Sequence, residues 1–206
     1  EAVKKLAGIR ELQRRFDLRP AEILAWYGNV DRHNTWSTSL YEERFLDPRM
    51  PRPLHPAFQD VFDADSSLWN VEAARSGLIA GLRVTEAELG LLTDADAADQ
   101  ALALLPVTSA TAPLTIEIVS RLHRLVSFAR ANRLTLADLL LIRELSGAVA
   151  LTGDDEAIAT PDGTLAFLDL VARVKASALT IEEIHYLIRQ VVAPESPLSI
   201  DDEELD

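Results

Sequence analysis

The chain has 206 residues, with 33 acidic side chains against 20 basic ones and a formal charge of -13. That length supports a sizeable core without staples, and the negative balance argues against a nucleic-acid backbone or an anionic membrane surface as partner, because each phosphate contact needs a cation. With no cysteine in the sequence, disulfides, thiolate catalysis and cysteine-ligated zinc are excluded.

Glycine at 8 residues and aromatics at 6% favour helices over sheet. No apolar run approaches the roughly 20 residues that span a bilayer; the longest, 134–145, is broken by Asp138, Arg143 and Glu144. In chain order, the first amphipathic helix carries Leu6, Ile9, Leu12 and Phe16 on one stripe. A proline-rich stretch, 47–67, holds Pro48, Pro51, Pro53 and Pro56, which exclude a helix and stiffen an extended loop. A second break, 105–113, contains Pro106, Thr108, Ser109 and Pro113. In 116–132, Ile118, Val119, Leu122, Leu125, Val126 and Ala129 form one stripe of a 3.6-residue helix, with Glu117, Arg121, Arg124 and Arg130 away from it. A third break, 152–163, carries Gly153, Asp154, Asp155, Pro161 and Gly163. The last long stripe runs through Phe167, Leu170, Val171, Val174 and Ala178, with Asp169 and Arg173 paired on the wet side. The tail after Ala193 reads as a linker.

One pattern recurs. Segments 16–26, 82–92, 132–142 and 177–187 superimpose without gaps, each with an apolar residue (Leu18, Val84, Leu134, Leu179) ahead of a capping position. Thr85, Thr135 and Thr180 take that position in three copies, followed three residues on by Glu88, Asp138 and Glu183; in the first copy Pro20 is taken to stand there, with Ile23 beside Glu22. A threonine oxygen can accept the N–H of the third helical residue while the carboxylate returns a bond to the cap, worth roughly 0.5–2 kcal/mol. Each copy follows a longer amphipathic segment, so the unit is long helix, tight turn, shorter helix. The caps are 65, 50 and 45 residues apart, too irregular for a strict array. The expected architecture is all-α, an irregular stack of helical hairpins. Residues 1–193 form one helical segment, with 105–113 as the place where it would subdivide, and 194–206 link it to a further helical unit.

Residues that carry chemistry are scattered. His33, His55, His123 and His185 include no i,i+3 or i,i+4 pair that grips a metal, and His123 and His185 read as satisfied or half-exposed structural histidines. Asp63, Asp65 and Ser67 mimic the start of a calcium loop, but Leu68 and Ala74 stand where glycine and glutamate are needed. Asp94, Asp96 and Asp99 read as solvated helix-end charges. Asp31, Thr35 and Trp36 have the spacing of a sialidase Asp-box, with Asn29 and His33 in place of its serine and glycine. Trp26, Trp36, Tyr41 and Phe45 read as core aromatics at a hairpin corner, with a ligand- or receptor-binding patch as the alternative. No residue is singled out as catalytic, cofactor-binding or metal-binding, and no cofactor is implied.

The run 24–50 (LAWYGNVDRHNTWSTSLYEERFLDPRM) resembles a segment of Tc insecticidal toxin A subunits, in which a Trp-Gly-Asp-like step leads to Ser-Leu-Tyr-(Glu/Gln)-x-Leu-Phe-Leu. Ser39, Leu40, Tyr41, Glu42, Phe45 and Leu46 match it, and Arg44 stands where the family commonly has leucine. Segments 82–92, 122–145 and 177–189 are similar to later stretches of the family, so the likeness covers most of the chain. The resemblance implies a fragment of the α-helical shell of a very large secreted toxin subunit. Five such subunits form a bell around a translocation channel, and a cocoon subunit holding the toxic enzyme docks on top. The implied partners are other segments and copies of the parent subunit and a host-surface receptor, with no nucleic acid. The chain begins at Glu1 and stops in an acidic stretch, which we take as the mark of a piece cut from a longer polypeptide. On this reading the segment is structural and has no catalysis of its own. The alternatives are a helical protein–protein interaction module and, on the Asp-box spacing, a sialidase-like glycosidase.

Overall fold

A computed structural model of the chain describes residues 2–33, 37–47, 56–59, 69–93, 108–145 and 160–189. The protein is all-α. Among the described residues there are nine α-helices: α1 (Ala2–Phe16), α2 (Pro20–Leu24), α3 (Leu40–Phe45), α4 (Arg75–Leu82), α5 (Glu86–Thr93), α6 (Ile116–Ala131), α7 (Leu136–Leu145), α8 (Pro161–Ala176) and α9 (Ile181–Arg189). Their extended pairing amounts to one bridge, Asn70 with Pro113, where the Val71 N–H meets the Ala112 carbonyl and the Leu114 N–H meets the Trp69 carbonyl. It ties the entry of α4 to the entry of α6. The expected linker 194–206 lies outside the described residues.

The recurring segments are corners between helices. Within two residues of the ends of α1, α4 and α6, the backbones of Asp17, Arg83 and Arg133 turn left-handed, with φ of 52°, 57° and 52°. The next residue closes the turn: the Val84 N–H reaches back to the Ile79 carbonyl at 3.1 Å and the Leu134 N–H to the Ala129 carbonyl at 2.9 Å. This six-to-one closure satisfies carbonyls left over at the helix end and lays the apolar side chain back on the last turn. The next helix then starts on a cap. The Glu88 carboxylate accepts the Thr85 N–H at 2.8 Å, and Thr85 Oγ1 accepts the Glu88 N–H at 3.2 Å. Thr180 and Glu183 repeat the exchange at 2.6 and 3.2 Å, and Thr135 Oγ1 accepts the Asp138 N–H at 3.0 Å. The fourth corner lacks the left-handed residue; Ser177 is extended instead (φ -70°, ψ 155°).

Three expectations need correction. In the first corner the capping position belongs to Arg19, not Pro20: Pro20 is the first helical residue, and the Glu22 carboxylate accepts the Arg19 N–H at 3.0 Å. Arginine has no acceptor to complete the exchange, so this box is one-sided. Pro161 and Gly163, expected in a break, open α8, because Thr160 Oγ1 accepts the Gly163 N–H at 3.1 Å and a proline at the first helical position has its φ already set. Within the proline-rich loop, Pro56–Phe58 forms a 3-10 turn that buries Phe58.

Packing follows the stripes in part. On α6, Val119, Leu122, Leu125, Val126 and Ala129 are buried, each larger aliphatic contributing roughly 1.5–3 kcal/mol. Arg124, expected on the wet face, is buried too and donates to the carbonyls of Ala25 and Gly28. On α1 only the second half of the stripe is covered: Leu12 is buried, while Val3 and Leu6 are 79% and 66% exposed. An aromatic line runs Phe16–Trp26–Phe128–Phe167 at centroid spacings of 5.6, 5.0 and 5.8 Å. A second cluster stacks Phe45 on Phe58 at 5.0 Å with Tyr41 at 5.1 Å. Helix α1 lies against α2 and α8, α3 against α4, α4 against α6, and α6 against α7; α5 meets α7 and α7 meets α9. Two of these approaches depend on glycine. A β-carbon at Gly8 would fall 2.6 Å from that of Pro161, and one at Gly81 would overlap the Phe45 ring.

Two cations clasp the corners. The Arg130 guanidinium donates to the Arg83 carbonyl, and Lys175 Nζ donates to the carbonyls of Asn132 and Arg133 at 2.6 and 3.3 Å. Each cation thus meets the negative end of a helix that precedes its own in the chain.

Candidate functional site

The ends of α2, α3, α4 and α6 enclose a recess of about 550 Å³. Leu18, Trp26, Leu82 and Val126 supply apolar wall, and Gly81 lets the backbone of α4 come close. Trp26 is fixed by its aromatic neighbours and by an Nε1–H bond to Ser127 Oγ at 2.9 Å. The polar lining is Glu22, Arg44, Arg83, His123, Ser127 and Arg130.

His123 sits beside Leu122 on α6, so the stripe that packs the helix also carries the imidazole inward. It is 4% exposed, and neither Nδ1 nor Nε2 has a hydrogen-bond partner among the described residues. Burial, with the nearby Arg44 cation next in weight, pushes its pKa down to about 4 against the opposing pull of Glu22. The ring is therefore neutral at pH 7, one nitrogen a donor and the other an acceptor. The expectation of a satisfied or half-exposed histidine is overturned. His185, on α9, is buried rather than half-exposed.

Arg44 is the second unusual group. Its Nη2 donates to Glu22 Oε1 at 3.5 Å, while its buried Nε has no partner among the described residues. Arg19 holds the acids around it. It grips Glu43 with two bonds of 2.9 and 2.7 Å and touches Glu22 Oε2 at 3.3 Å, which keeps the Glu43 carboxyl below the usual range. Arg130 at the rim has its pKa lowered by burial and supported by Glu88. The arrangement offers donors and positive charge over an apolar floor, as small-molecule sites do.

The other candidate residues do not converge on it. His33 is exposed, and its backbone N–H donates to the Asp31 carboxylate at 3.1 Å, so Asp31 organises the turn before α3. Ala74, from the abortive calcium loop, is fully buried at the start of α4. Thr35, Trp36, His55, Asp63, Asp65, Ser67, Leu68, Asp94, Asp96 and Asp99 lie outside the described residues. Trp26, Tyr41 and Phe45 are core aromatics, divided between the two clusters. Among the described residues no group of three or more His, Asp or Glu is placed to hold a metal ion, and no helix is long and apolar enough to cross a membrane.

A second surface is apolar. On α9 and just before it, Leu179, Tyr186, Leu187 and Ile188 are 44%, 41%, 63% and 60% exposed. Sequence reading passed over Arg44 as a site residue; the signal was its interruption of the Leu40, Tyr41, Phe45 packing face. The chain matches no protein-family model and no curated protein.

Proposed function

We propose that the chain is a scaffolding segment, an irregular stack of helical hairpins that works by packing its faces against neighbouring segments of a larger secreted assembly, the shell of a Tc insecticidal toxin A subunit. The observation that carries the stack is the repeated clasp. Arg130 stands three residues before Arg133, and Lys175 three before Ala178, the equivalent position in the next copy. Each reaches the left-handed turn of the preceding copy, at Arg83 and at Arg133. Two successive units therefore meet in the same way, as stacked repeats do. The short helices α5, α7 and α9 touch in series, which fits a row of second helices. The apolar outer face of α9 is a surface for the next layer to cover. The family assignment rests on the Ser39–Leu46 block and the later similar segments.

Imaging the parent polypeptide tests the reading. A five-fold bell with this segment in its outer wall is the expected result. A parent that is a small monomer, or one that cleaves a fluorogenic sialoside and loses that activity on Asp31→Ala, would overturn it.

A further inference from the structure

We propose that the recess between α2, α3, α4 and α6 binds a small organic carboxylate, its head held by Arg44 Nε and the His123 ring and its apolar body against Leu18, Trp26 and Leu82. The inference is independent of the scaffolding role. The volume of about 550 Å³ falls within the roughly 300–1,000 Å³ of small-molecule sites. Charge selects the ligand. Three arginines against one glutamate, with His123 neutral, leave the lining at net +2 in a chain of -13.

The buried donors select its head group. Arg44 Nε–H and one ring N–H of His123 are both without partners among the described residues, an arrangement that is costly to leave unmet. A carboxylate brings two oxygens that accept only, and a bond from a guanidinium to it is charge-assisted. The acids nearby are already engaged: Glu22 by Arg44 Nη2 and by Arg19, Glu43 by Arg19, and Glu42 by the Ser39 N–H at 2.8 Å. The apolar wall calls for a hydrocarbon body, which sets the site apart from one for a bare inorganic anion.

The test is an NMR titration of the 206-residue chain with benzoate, following the His123 ring resonances, assigned by replacing the other three histidines singly. We expect saturable shifts of these resonances, with a dissociation constant of ~1 mM or tighter. Benzamide, the neutral isostere, should bind roughly tenfold more weakly or worse, and Arg44→Leu should weaken benzoate roughly tenfold. Arg19 still holds Glu22 and Glu43 in that variant, so its helical circular dichroism should persist. If it does not fold, Arg44→Lys, which keeps the charge but removes Nε, should also weaken benzoate. No saturable change at His123, equal binding of benzamide, or unchanged affinity in a folded Arg44 variant would each overturn the proposal.

Discussion

Replacing Gly81 by alanine sets two effects of opposite sign against each other. In a helix interior the change should stabilise by about 1 kcal/mol, since glycine loses more backbone freedom on folding. In α4 the new methyl group would overlap Cδ1 and Cε1 of Phe45 and come within 3.2 Å of the Arg44 carbonyl. The ring has little room to retreat, because it is 1% exposed, lies flat on Phe58 at an interplanar angle of 4° and has Tyr41 beside it. Overpacking a filled core costs about 1–3 kcal/mol, and a ring held between two others belongs at or above the top of that range. The expected net effect is a loss of about 2 kcal/mol, read as a lower urea midpoint at unchanged m. Phe45→Leu in the same chain should relieve the overlap, so the double variant loses less than the sum of the two singles by more than about 0.5 kcal/mol. A raised midpoint for Gly81→Ala would mean that propensity wins and that α3 and α4 do not meet through this glycine.

Three further outcomes follow from the corners and from the buried ring. Thr135→Ala removes the acceptor for the Asp138 N–H and should cost about 1 kcal/mol in denaturant unfolding; no loss would mean that the recurring threonine is not a cap. Arg133→Gly relieves a left-handed residue with φ of 52° and should stabilise by about 1 kcal/mol, where an ordinary helix-end site would be destabilised. His123 should make stability pH-dependent, because its folded pKa of about 4 lies below the ordinary 6.5. The unfolded chain takes up that proton first as pH falls, so stability is full above about 6.5 and declines toward pH 4, by at most about 3 kcal/mol. Subtracting the His123→Leu curve from the parent curve isolates this slope from the acids, whose lowered pKa values act only below about 4.5; a flat difference would refute the burial argument.

Much of the backbone was legible because its signals are local. The Thr85 and Thr180 boxes need only residues three apart, and the same signature at Ser39 and Glu42 escaped notice through lying outside the four superimposed segments. At the first corner Pro20 is the conspicuous residue, but the register of the other three copies puts Arg19 at the cap and Pro20 one position inside the helix. Periodicity located the α6 stripe but not what lies beyond it. Nothing local says that Arg124 will find the carbonyls of Ala25 and Gly28 about a hundred positions away. The recess was illegible for the same reason: its walls come from four helices whose mutual placement is tertiary.

Arg44 separates scaffolding from binding. A packing face gains nothing from a guanidinium that is three-quarters covered and has one nitrogen unmet, since burying a cation carries a desolvation penalty that an apolar side chain of similar volume avoids. The resembling family commonly places leucine there, and leucine would continue the face made by Leu40, Tyr41 and Phe45. If the segment is only scaffold, Arg44→Leu should leave stability unchanged or raise it, and nothing else should alter. If the recess takes a carboxylate, the same substitution weakens ligand binding while the fold stays or strengthens. Stability and binding then move in opposite directions at one residue, a pattern that neither pure packing nor a general loss of structure produces.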